Sequence, residues 1–584
     1  MVPETSNAIE KKLNMYLNFF NYSSLIKNSF PSKYMKTIKW IFTILLGLLL
    51  ILVVLVFIDV SPYYNLISIE DPTPSPFQSP DQLNSELRSD IVFLSASEMA
   101  QKIREKELTS LEVIEAHLNQ IYLFNPKINA LVTVDAKAAL KRAKEADSAL
   151  NQGKLWGPLH GVPFTVKDHL ATKSVRTTSG YGPLKDFVPD YDATVVKRLK
   201  ESGAILLGKT NMPPLAACCG TTNLIFGTTN NPWDLNRTVG GSSGGSAAAL
   251  ISGMTPIEIG SDAGGSIRIP AHYTGVFGMK PTENLISFYG AFIPGIERLI
   301  PKMKTLNTIR HFKHLGPMAR SIEDLELLIK ILKGPDINDA NILDLPHYEP
   351  DPKPLNKLKI AWTISLPGRF LEQETDKISL ESANLIKIFI NKLSDSGVIL
   401  EKNIFSTQFM NRAWKTWGDL VSMEYDFHSP VIFRILEKLS GNPYTVLPYT
   451  YEKYQHLLNE RDEIVSFLNK KLSNFDVLIL PVTLNSAYKH LDSRFEGGML
   501  ANYSDIVLID GKNFSSMTVD LSYTSLFNLT GNPVVVIPIG FTQSGLPIGI
   551  QIVGKKMRDV ELLIVAQQLF NIGGDFRIPP KFIN

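Results

Sequence analysis

The sequence predicts an α/β protein in which a large mixed β-sheet is covered by helices on both faces. Short β-type runs such as 204–209, 476–482 and 533–541 alternate with helical stretches such as 135–150 and 559–572. These runs are apolar almost throughout, which is typical of strands that are buried on both sides. With 584 residues, of which 44% are hydrophobic and 20% charged, the chain is long enough to enclose such a sheet.

The first element is an uncharged apolar stretch, residues 40–58, which follows an N-terminal segment of residues 1–39. As a helix this stretch extends about 28 Å, close to the thickness of the hydrocarbon core of a bilayer. Basic residues precede it, among them Lys27, Lys33, Lys36 and Lys39, and no Lys or Arg follows it until Arg88. The positive-inside rule therefore predicts one transmembrane helix, a cytosolic N-terminus and a lumenal or exoplasmic remainder. A cleaved signal peptide is the alternative.

A linker and one large domain follow the span. Residues 59–90 are rich in proline among Ser, Asn and Asp, which is typical of an extended spacer, and the folded domain is expected over 91–584. Inside it, Thr109 and Glu112 have the spacing of a capping box and open a predicted helix over 109–124. Residues 340–470 carry no Gly-rich loop, so we expect a peripheral, mostly helical elaboration there.

Charge and cysteine content exclude several classes of function. The formal net charge is +2, from 59 basic and 57 acidic residues, which gives no broad surface for nucleic acid. The two cysteines, Cys218 and Cys219, are adjacent, so they form no disulfide framework and match no zinc-binding spacing. We therefore expect no metal and no nucleic-acid partner.

Three stretches place a potentially reactive polar side chain in a glycine-rich or apolar setting. They are "GVPFTVKD" with Lys167, "GGSSGGSAAAL" with Ser242 and Ser243, and "GSDAGGSIRIP" with Ser266. The second runs directly into a helix-forming segment, so a tight loop at a helix N-terminus is favoured over a flexible linker. "GSSGG" also fits the G-x-S-x-G elbow with Ser243 as nucleophile, although the preceding residues read as a loop rather than the required strand.

Taken together, these stretches resemble the amidase signature family of serine hydrolases. The Gly/Ser-rich signature corresponds to residues 240–282, with supporting matches at 159–168, 208–216 and 226–234 and near the C-terminus. Within the family the chain is most like the membrane-anchored fatty acid amide hydrolases. The resemblance implies the amidase signature fold, with a mixed sheet, and an enzyme that needs no cofactor.

The resemblance also implies roles for individual residues. Ser266 would be the nucleophile, Ser242 a bridging serine that follows a cis peptide bond, and Lys167 the general base. A serine hydroxyl needs such a base, and burial lowers the pKa of a lysine so that a neutral amine is available. Backbone N–H groups would form the oxyanion hole at these positions: Ala263, Gly264, Gly265 and Ser266. Ala216 would border the substrate, and Asp262 and Arg268 would form a buried structural pair.

These inferences lead to a membrane-anchored amidase that cleaves linear carboxylic amides, including fatty acid amides, through an acyl-enzyme. Two alternatives stay open: an amidotransferase subunit that handles ammonia in a glutamyl-tRNA complex, and a membrane-tethered relative without catalysis. The expected partners are a small-molecule amide and membrane lipid, with a homodimer as a further option. Sequons that would suit a lumenal domain occur at Asn236, Asn502, Asn513 and Asn528.

Residues 412–440 mix aromatic and basic side chains, among them Trp414, Trp417 and Phe433. One hypothesis is a helix seated in the membrane interface, through which an acyl substrate could enter from the bilayer. The other is a helix packed on the core of the domain. Ala217-Cys218-Cys219 departs from the usual family pattern, which leaves the acyl preference open.

Overall fold

The computed structural model describes residues 88–582, except for 218, 292–308, 343, 345–349, 351–352, 403–404, 427–449 and 492–504. The predicted N-terminal segment 1–39, the predicted span 40–58 and nearly all of the linker lie outside the described residues. Within the described ranges, no helix is both long enough and apolar enough to cross a bilayer. The first helix begins at Ser89, two residues before the predicted start of the domain.

Helices make up a large part of the described chain. They are α1 (Ser89–Val92), α2 (Ala96–Arg104), α3 (Ser110–Ile128), α4 (Ala136–Asn151), α5 (Thr194–Glu201), α6 (Gly244–Ile251), α7 (Arg268–Thr274), α8 (Ile322–Leu332), α9 (Leu380–Asp395), α10 (Thr407–Asp426), α11 (Tyr451–Leu472), α12 (Ser516–Leu521), α13 (Ser525–Thr530) and α14 (Asp559–Gly573). The predicted capping box opens α3, because Thr109 accepts a hydrogen bond from the Glu112 N–H while the Glu112 side chain accepts one from the Thr109 N–H.

The strands form one large mixed sheet and three small hairpins. They are β1 (Leu131–Val134), β2 (Pro163–Lys167), β3 (Ile205–Thr210), β4 (Thr222–Asn223), β5 (Gly227–Thr228), β6 (Ile257–Asp262), β7 (Phe277–Lys280), β8 (His314–Ala319), β9 (Lys359–Trp362), β10 (Arg369–Phe370), β11 (Gln373–Glu374), β12 (Ile399–Lys402), β13 (Val477–Pro481), β14 (Ile506–Ile509), β15 (Lys512–Ser515), β16 (Val534–Phe541) and β17 (Pro547–Val553). In the described chain the large sheet has 11 strands in the order β1-β3-β2-β6-β8-β7-β16-β17-β13-β9-β12.

The centre of this sheet is covered on both faces. Every residue of β2, β6, β8, β13 and β17 is buried, which an open sheet face would not allow. The sheet is mixed, since β2 runs parallel to β3 and β6 while β8 runs antiparallel to β6. The predicted mixed sheet is therefore confirmed. Because β2 and β6 are parallel neighbours, their carboxyl ends bring Lys167 and the loop after Asp262 to the same edge.

Two expectations concern the middle of the chain. Residues 340–470 hold the long helices α9, α10 and α11, and their strands β9 and β12 form one edge of the central sheet. The interface hypothesis for 412–440 is wrong for the tryptophans of α10. Trp414 and Trp417 are 4% and 6% exposed, and the Trp414 indole N–H donates to the Ser522 carbonyl at 2.9 Å. Residues 427–440, including Phe433, lie outside the described residues.

Candidate active site

Lys167 ends β2 and is completely buried. Its amine lies 2.6 Å from Ser242 Oγ, 3.0 Å from Ser243 Oγ and 3.0 Å from Ser261 Oγ. Three hydroxyls from two different segments therefore surround one lysine amine.

The Gly240–Ser246 loop carries Ser242 and Ser243 and leads into α6. The Gly241–Ser242 peptide bond is cis, as the resemblance implied. Thr221 holds the loop from outside, because its hydroxyl donates to the Gly240 carbonyl at 2.8 Å and accepts from the Gly244 N–H at 3.2 Å. Ser243 follows loop residues rather than a strand, so the elbow arrangement with Ser243 as nucleophile is absent.

The hydrogen bonds around Lys167 are consistent with a neutral amine. Ser243 donates its own hydroxyl proton to the Ser261 carbonyl at 3.2 Å, so its oxygen can only accept from Lys167. A neutral amine has two N–H donors and one lone pair. If the two donors serve Ser243 and Ser261, the lone pair faces Ser242, whose hydroxyl lies closest. Ser242 is then the residue that can pass a proton to Lys167.

The electrostatic environment favours this neutral form. Burial lowers the pKa of Lys167 well below its ordinary value, opposed in part by the carboxyls of Asp262 and Glu258. Glu258 lies on β6, next to β2, and burial raises its pKa to about 8. A protonated Glu258 adds little negative charge near Lys167, so it does not restore the ammonium form.

Ser266 lies in the short loop between β6 and α7 and is half-buried. Its backbone carbonyl accepts from the Ser243 N–H at 3.0 Å, which ties the two serine loops together. No hydrogen bond within the described part of the chain engages the Ser266 hydroxyl. The structure thus brings Lys167 and Ser242 into direct contact and places the Ser266 loop beside them without a hydrogen bond between Ser242 and Ser266.

Asp262 and Arg268 flank Ser266 and form a fully buried ion pair. The guanidinium donates to both carboxylate oxygens at 2.9 and 3.0 Å, and the side chains of both residues are 0% exposed. Three residues from the C-terminal part of the chain complete its hydrogen bonds: the Thr524 carbonyl, the Asn528 side chain and the Gln551 side chain. Burial alone would raise the pKa of Asp262, but the attraction and hydrogen bonds of Arg268 outweigh burial and lower that pKa.

One predicted oxyanion donor is occupied in this structure. The Gly265 N–H donates to Asp262 Oδ1 at 2.8 Å, and the Ile267 N–H donates to the other oxygen at 3.1 Å. Among the described residues, the N–H groups of Ala263, Gly264 and Ser266 have no partner. Gly265 has another use here: its φ of +137° is strained for other residues, and a Cβ would come within 2.5 Å of Thr524 Oγ1.

The surface next to Gly264 is apolar. A Cβ on Gly264 would lie 3.1 Å from the ring of Trp417 and 3.4 Å from Leu521, so these two side chains cover this part of the loop; we call them the apolar wall. Ala216 is half-buried and ends a short 3₁₀ turn, Pro214–Ala216, in which Leu215 and Ala216 both have positive φ. No hydrogen bond links Ala216 to Lys167, Ser242 or Ser266 within the described residues.

Several residues of the site were missed by sequence reasoning. The carboxyl group of Glu258 is hydrogen-bonded to the hydroxyls of Thr165, Thr210 and Ser246. Asn528, read from the sequence as a sequon, is fully buried and donates to Asp262 Oδ1 at 2.8 Å. The family match near the C-terminus, which begins at Leu529, was the sequence signal next to it. No group of three or more His, Cys, Asp or Glu residues in the described ranges is arranged to hold a metal ion.

Comparisons with known proteins agree with this geometry. The model of the Amidase family matches residues 112–563. The chain is 32% identical to the A subunit of the glutamyl-tRNA(Gln) amidotransferase from Carboxydothermus hydrogenoformans, over 82% of this chain and 96% of that protein. It is 31% identical to the protein of the same description from Saccharolobus solfataricus, over 82% of this chain and 98% of that one.

Solved structures share the fold. A 6-aminohexanoate cyclic dimer hydrolase superimposes with a TM-score of 0.66 at 24% identity, covering 84% of this chain and 100% of that one. A fatty acid amide hydrolase superimposes with a TM-score of 0.68 at 23% identity, covering 88% and 94%. At these identities the two likenesses establish the fold alone.

Proposed function

Since the chain belongs to the amidase family and is an enzyme that acts on amides, we propose that it hydrolyses linear carboxylic amides with an apolar acyl group. The observation that carries the proposal is the desolvated amine of Lys167, 2.6 Å from Ser242 and beside the loop of Ser266. The products would be a carboxylic acid and an amine or ammonia.

The reaction begins with attack by Ser266 on the amide carbonyl carbon. Rotation of its free side chain brings the hydroxyl to Ser242, which takes the proton and passes its own to the neutral Lys167. The resulting ammonium returns a proton through Ser242 to the departing nitrogen, because an amide nitrogen cannot leave as an anion. Water then hydrolyses the acyl-enzyme by the same proton route.

The backbone after β6 stabilises the oxyanion. The free N–H groups of Ala263, Gly264 and Ser266 are available as donors, and one such donor contributes about 3 to 4 kcal/mol to transition-state stabilisation. Asp262 keeps the loop in shape, since it accepts from Gly265 and Ile267 on either side of Ser266. The N–H of Gly265 therefore supports the hole rather than entering it.

The apolar wall supports an apolar substrate. Trp417 and Leu521 are 6% and 8% exposed, and an acyl chain against them would lose its contact with water. Fatty acid amides are the natural example of such substrates, and residues 40–58 would keep the enzyme at the membrane where these lipids reside. Anchoring by that segment, with the domain on the lumenal or exoplasmic side, is part of the proposal.

A second candidate is the amidotransferase subunit. The relatives from Carboxydothermus and Saccharolobus support it, because they match the chain at 31 to 32% identity over nearly their whole length. A glutamine substrate, however, brings a charged ammonium and a charged carboxylate into the site. Such groups need charged partners when desolvated, and Trp417 and Leu521, which form the apolar wall, carry no charge.

The two candidates separate in one assay of the purified full chain. We expect oleamide to be hydrolysed with a far higher kcat/KM than acetamide, and free glutamine to be left intact. Ser266→Ala should abolish turnover and labelling by a fluorophosphonate. Release of ammonia from glutamine, with no turnover of oleamide, would favour the amidotransferase candidate.

Variants of the wall sharpen this assay. Trp417→Ala should lower kcat/KM for oleamide more than for acetamide, because only the long chain reaches the ring. Trp156→Ala is the matched control, since that indole packs against the Arg142 guanidinium, 3.6 Å from the ring centre. An equal loss of kcat/KM for both amides would show that the apolar wall does not contact the acyl chain of the substrate.

A further inference from the structure

A basic cavity lies at one edge of the central sheet. It has a volume of about 880 Å³ and is formed around the edge strand β12, its neighbour β9 and the residues that follow α11. We call it the lysine cavity; its lining residues are Lys353, Lys359, Ile399, Glu401, Lys402, Lys471, Ser473, Asn474, Phe475, Asp476 and Lys555. A second cavity of about 280 Å³ shares Lys353, Asp476 and Lys555 with it.

The charges in the lysine cavity are not balanced. Lys353 is paired with Asp476 at 2.6 Å, and the amine of Lys471 lies 5.4 Å from the ring centre of Phe405. The other three lysines, Lys359, Lys402 and Lys555, are exposed and have no carboxylate within ion-pair distance in the described part of the chain. With Glu401 as the second acid, the described lining residues hold a formal excess of three positive charges.

This excess is local. The whole chain carries a formal net charge of only +2, so the positive charge of the cavity does not reflect a basic surface throughout the protein. Like charges that converge on one concave surface repel each other, and they focus the electric field on an anion inside it. A bound anion of matching charge would relieve the repulsion.

The geometry points to a binding site for a small ligand with two or more phosphate groups. Its volume lies within the range of about 300 to 1,000 Å³ that is usual for small-molecule sites, and lysine ammonium groups are common phosphate ligands. Two or three phosphate groups carry a charge that matches the excess. The phosphorylated headgroup of a lipid and a soluble polyphosphate share this chemistry.

The lysine cavity is remote from the catalytic lysine and serines. β12 is seven strands away from β6 in the sheet, which corresponds to about 33 Å. The ligand is therefore not the amide substrate, and the inference does not depend on which amide the enzyme cleaves. Charge reversal in the cavity should leave hydrolysis unchanged, so it can be tested on an active enzyme.

The test uses the full chain and inorganic tripolyphosphate as the probe. Titration calorimetry should detect binding to the wild-type protein that weakens as salt is added, because exposed charges are screened. Lys402→Glu combined with Lys555→Glu should weaken binding at least tenfold. The control, Lys137→Glu combined with Lys144→Glu, makes the same change in charge on the exposed face of α4 and should alter binding less than twofold. Equal weakening by both pairs, or no binding by the wild type, would overturn the proposal.

A second arm separates the two sources of phosphate. Phosphatidylcholine vesicles with and without phosphatidylinositol bisphosphate are sedimented with each variant. The site is assigned to a lipid headgroup if the wild-type protein binds more to the vesicles with phosphatidylinositol bisphosphate. Tripolyphosphate should then displace this extra binding, and the Lys402→Glu/Lys555→Glu variant should lack it. Tripolyphosphate binding without extra vesicle binding assigns it to a soluble compound. If the Lys402→Glu/Lys555→Glu variant keeps the extra vesicle binding, the lysine cavity is not the phosphate-binding site.

Discussion

Ser243 Oγ lies 3.0 Å from the amine of Lys167, the same distance as Ser261 Oγ on strand β6. In a neutral Lys167 these two hydroxyls would accept from the two N–H donors, which leaves the lone pair directed at Ser242. Ser243 is thus a positioning residue for the base, a role that the G-x-S-x-G reading of the sequence did not suggest. The relationship has a direct kinetic consequence.

Ser243→Ala should lower kcat for amides by about ten- to hundredfold, the cost of one hydrogen bond to an ionisable partner. Ser266→Ala should lower it by at least about a thousandfold, because the nucleophile is lost. Fluorophosphonate labelling distinguishes the two, since only the Ser243 variant still reacts. If Ser243→Ala were the variant that no longer labels, Ser243 rather than Ser266 would be the nucleophile.

Lys167 should determine the pH dependence of the reaction. The amine is active when neutral, so kcat/KM should rise with pH through the pKa of Lys167, which burial places well below 10.5. Lys167→Met should remove this rise, and its loss of activity should be smaller for an ester than for the matched amide, because an alkoxide leaves more easily. Equal losses on ester and amide would count against proton transfer by Lys167.

Arg268→Met should destabilise the protein by about 3 to 5 kcal/mol, because it leaves Asp262 buried without its counterion. Arg577→Met is the matched control. Its pair with Asp575 is solvent-exposed, with side-chain exposures of 63% and 31%, and should contribute less than about 1 kcal/mol. Chemical unfolding of both variants at neutral pH measures the difference, and similar values for the two would contradict the buried pair.

Glu258 should make stability depend on pH in the direction opposite to most carboxylates. Its folded-state pKa of about 8 is higher than the ordinary 4.5, so folding favours the protonated form. The contribution of this preference to the free energy of unfolding is complete below the unfolded-state pKa and is lost as the pH rises from about 4.5 to 8.

Glu258→Gln removes this titration. The free energy of unfolding of the variant, relative to that of the wild type, should therefore increase between pH 5 and 8. Glu323→Gln, which changes an exposed glutamate, should follow the wild type across the range. Parallel curves for Glu258→Gln and the wild type would show that Glu258 is ionised in the folded protein.

The sequence predicted strands at the positions of β3, β13 and β16, helices at those of α3, α4 and α14, and the segments that carry the reactive side chains, because apolar runs and glycine-serine loops are local patterns. It did not predict Glu258 as a buried acid. In "PIEIG" a glutamate between isoleucines reads as the exposed side of a strand, and only the pairing of β6 with β2 and β8 buries it. Likewise, Asn528 contacts Asp262 across 266 positions of the chain, a distance that no local pattern spans.

The network around Arg268 joins residues that are synthesised at different times. Arg268 precedes its partners Thr524, Gln551 and Asn528 by 256, 283 and 260 residues, so all three emerge from the ribosome well after it. Until they do, the guanidinium lacks three of its acceptors, and the loop that holds Ser266 has no support from that side. A chain cut before residue 524 would therefore retain Lys167, Ser242 and Ser266, but the arginine two residues after the nucleophile would lack three of its hydrogen-bond acceptors.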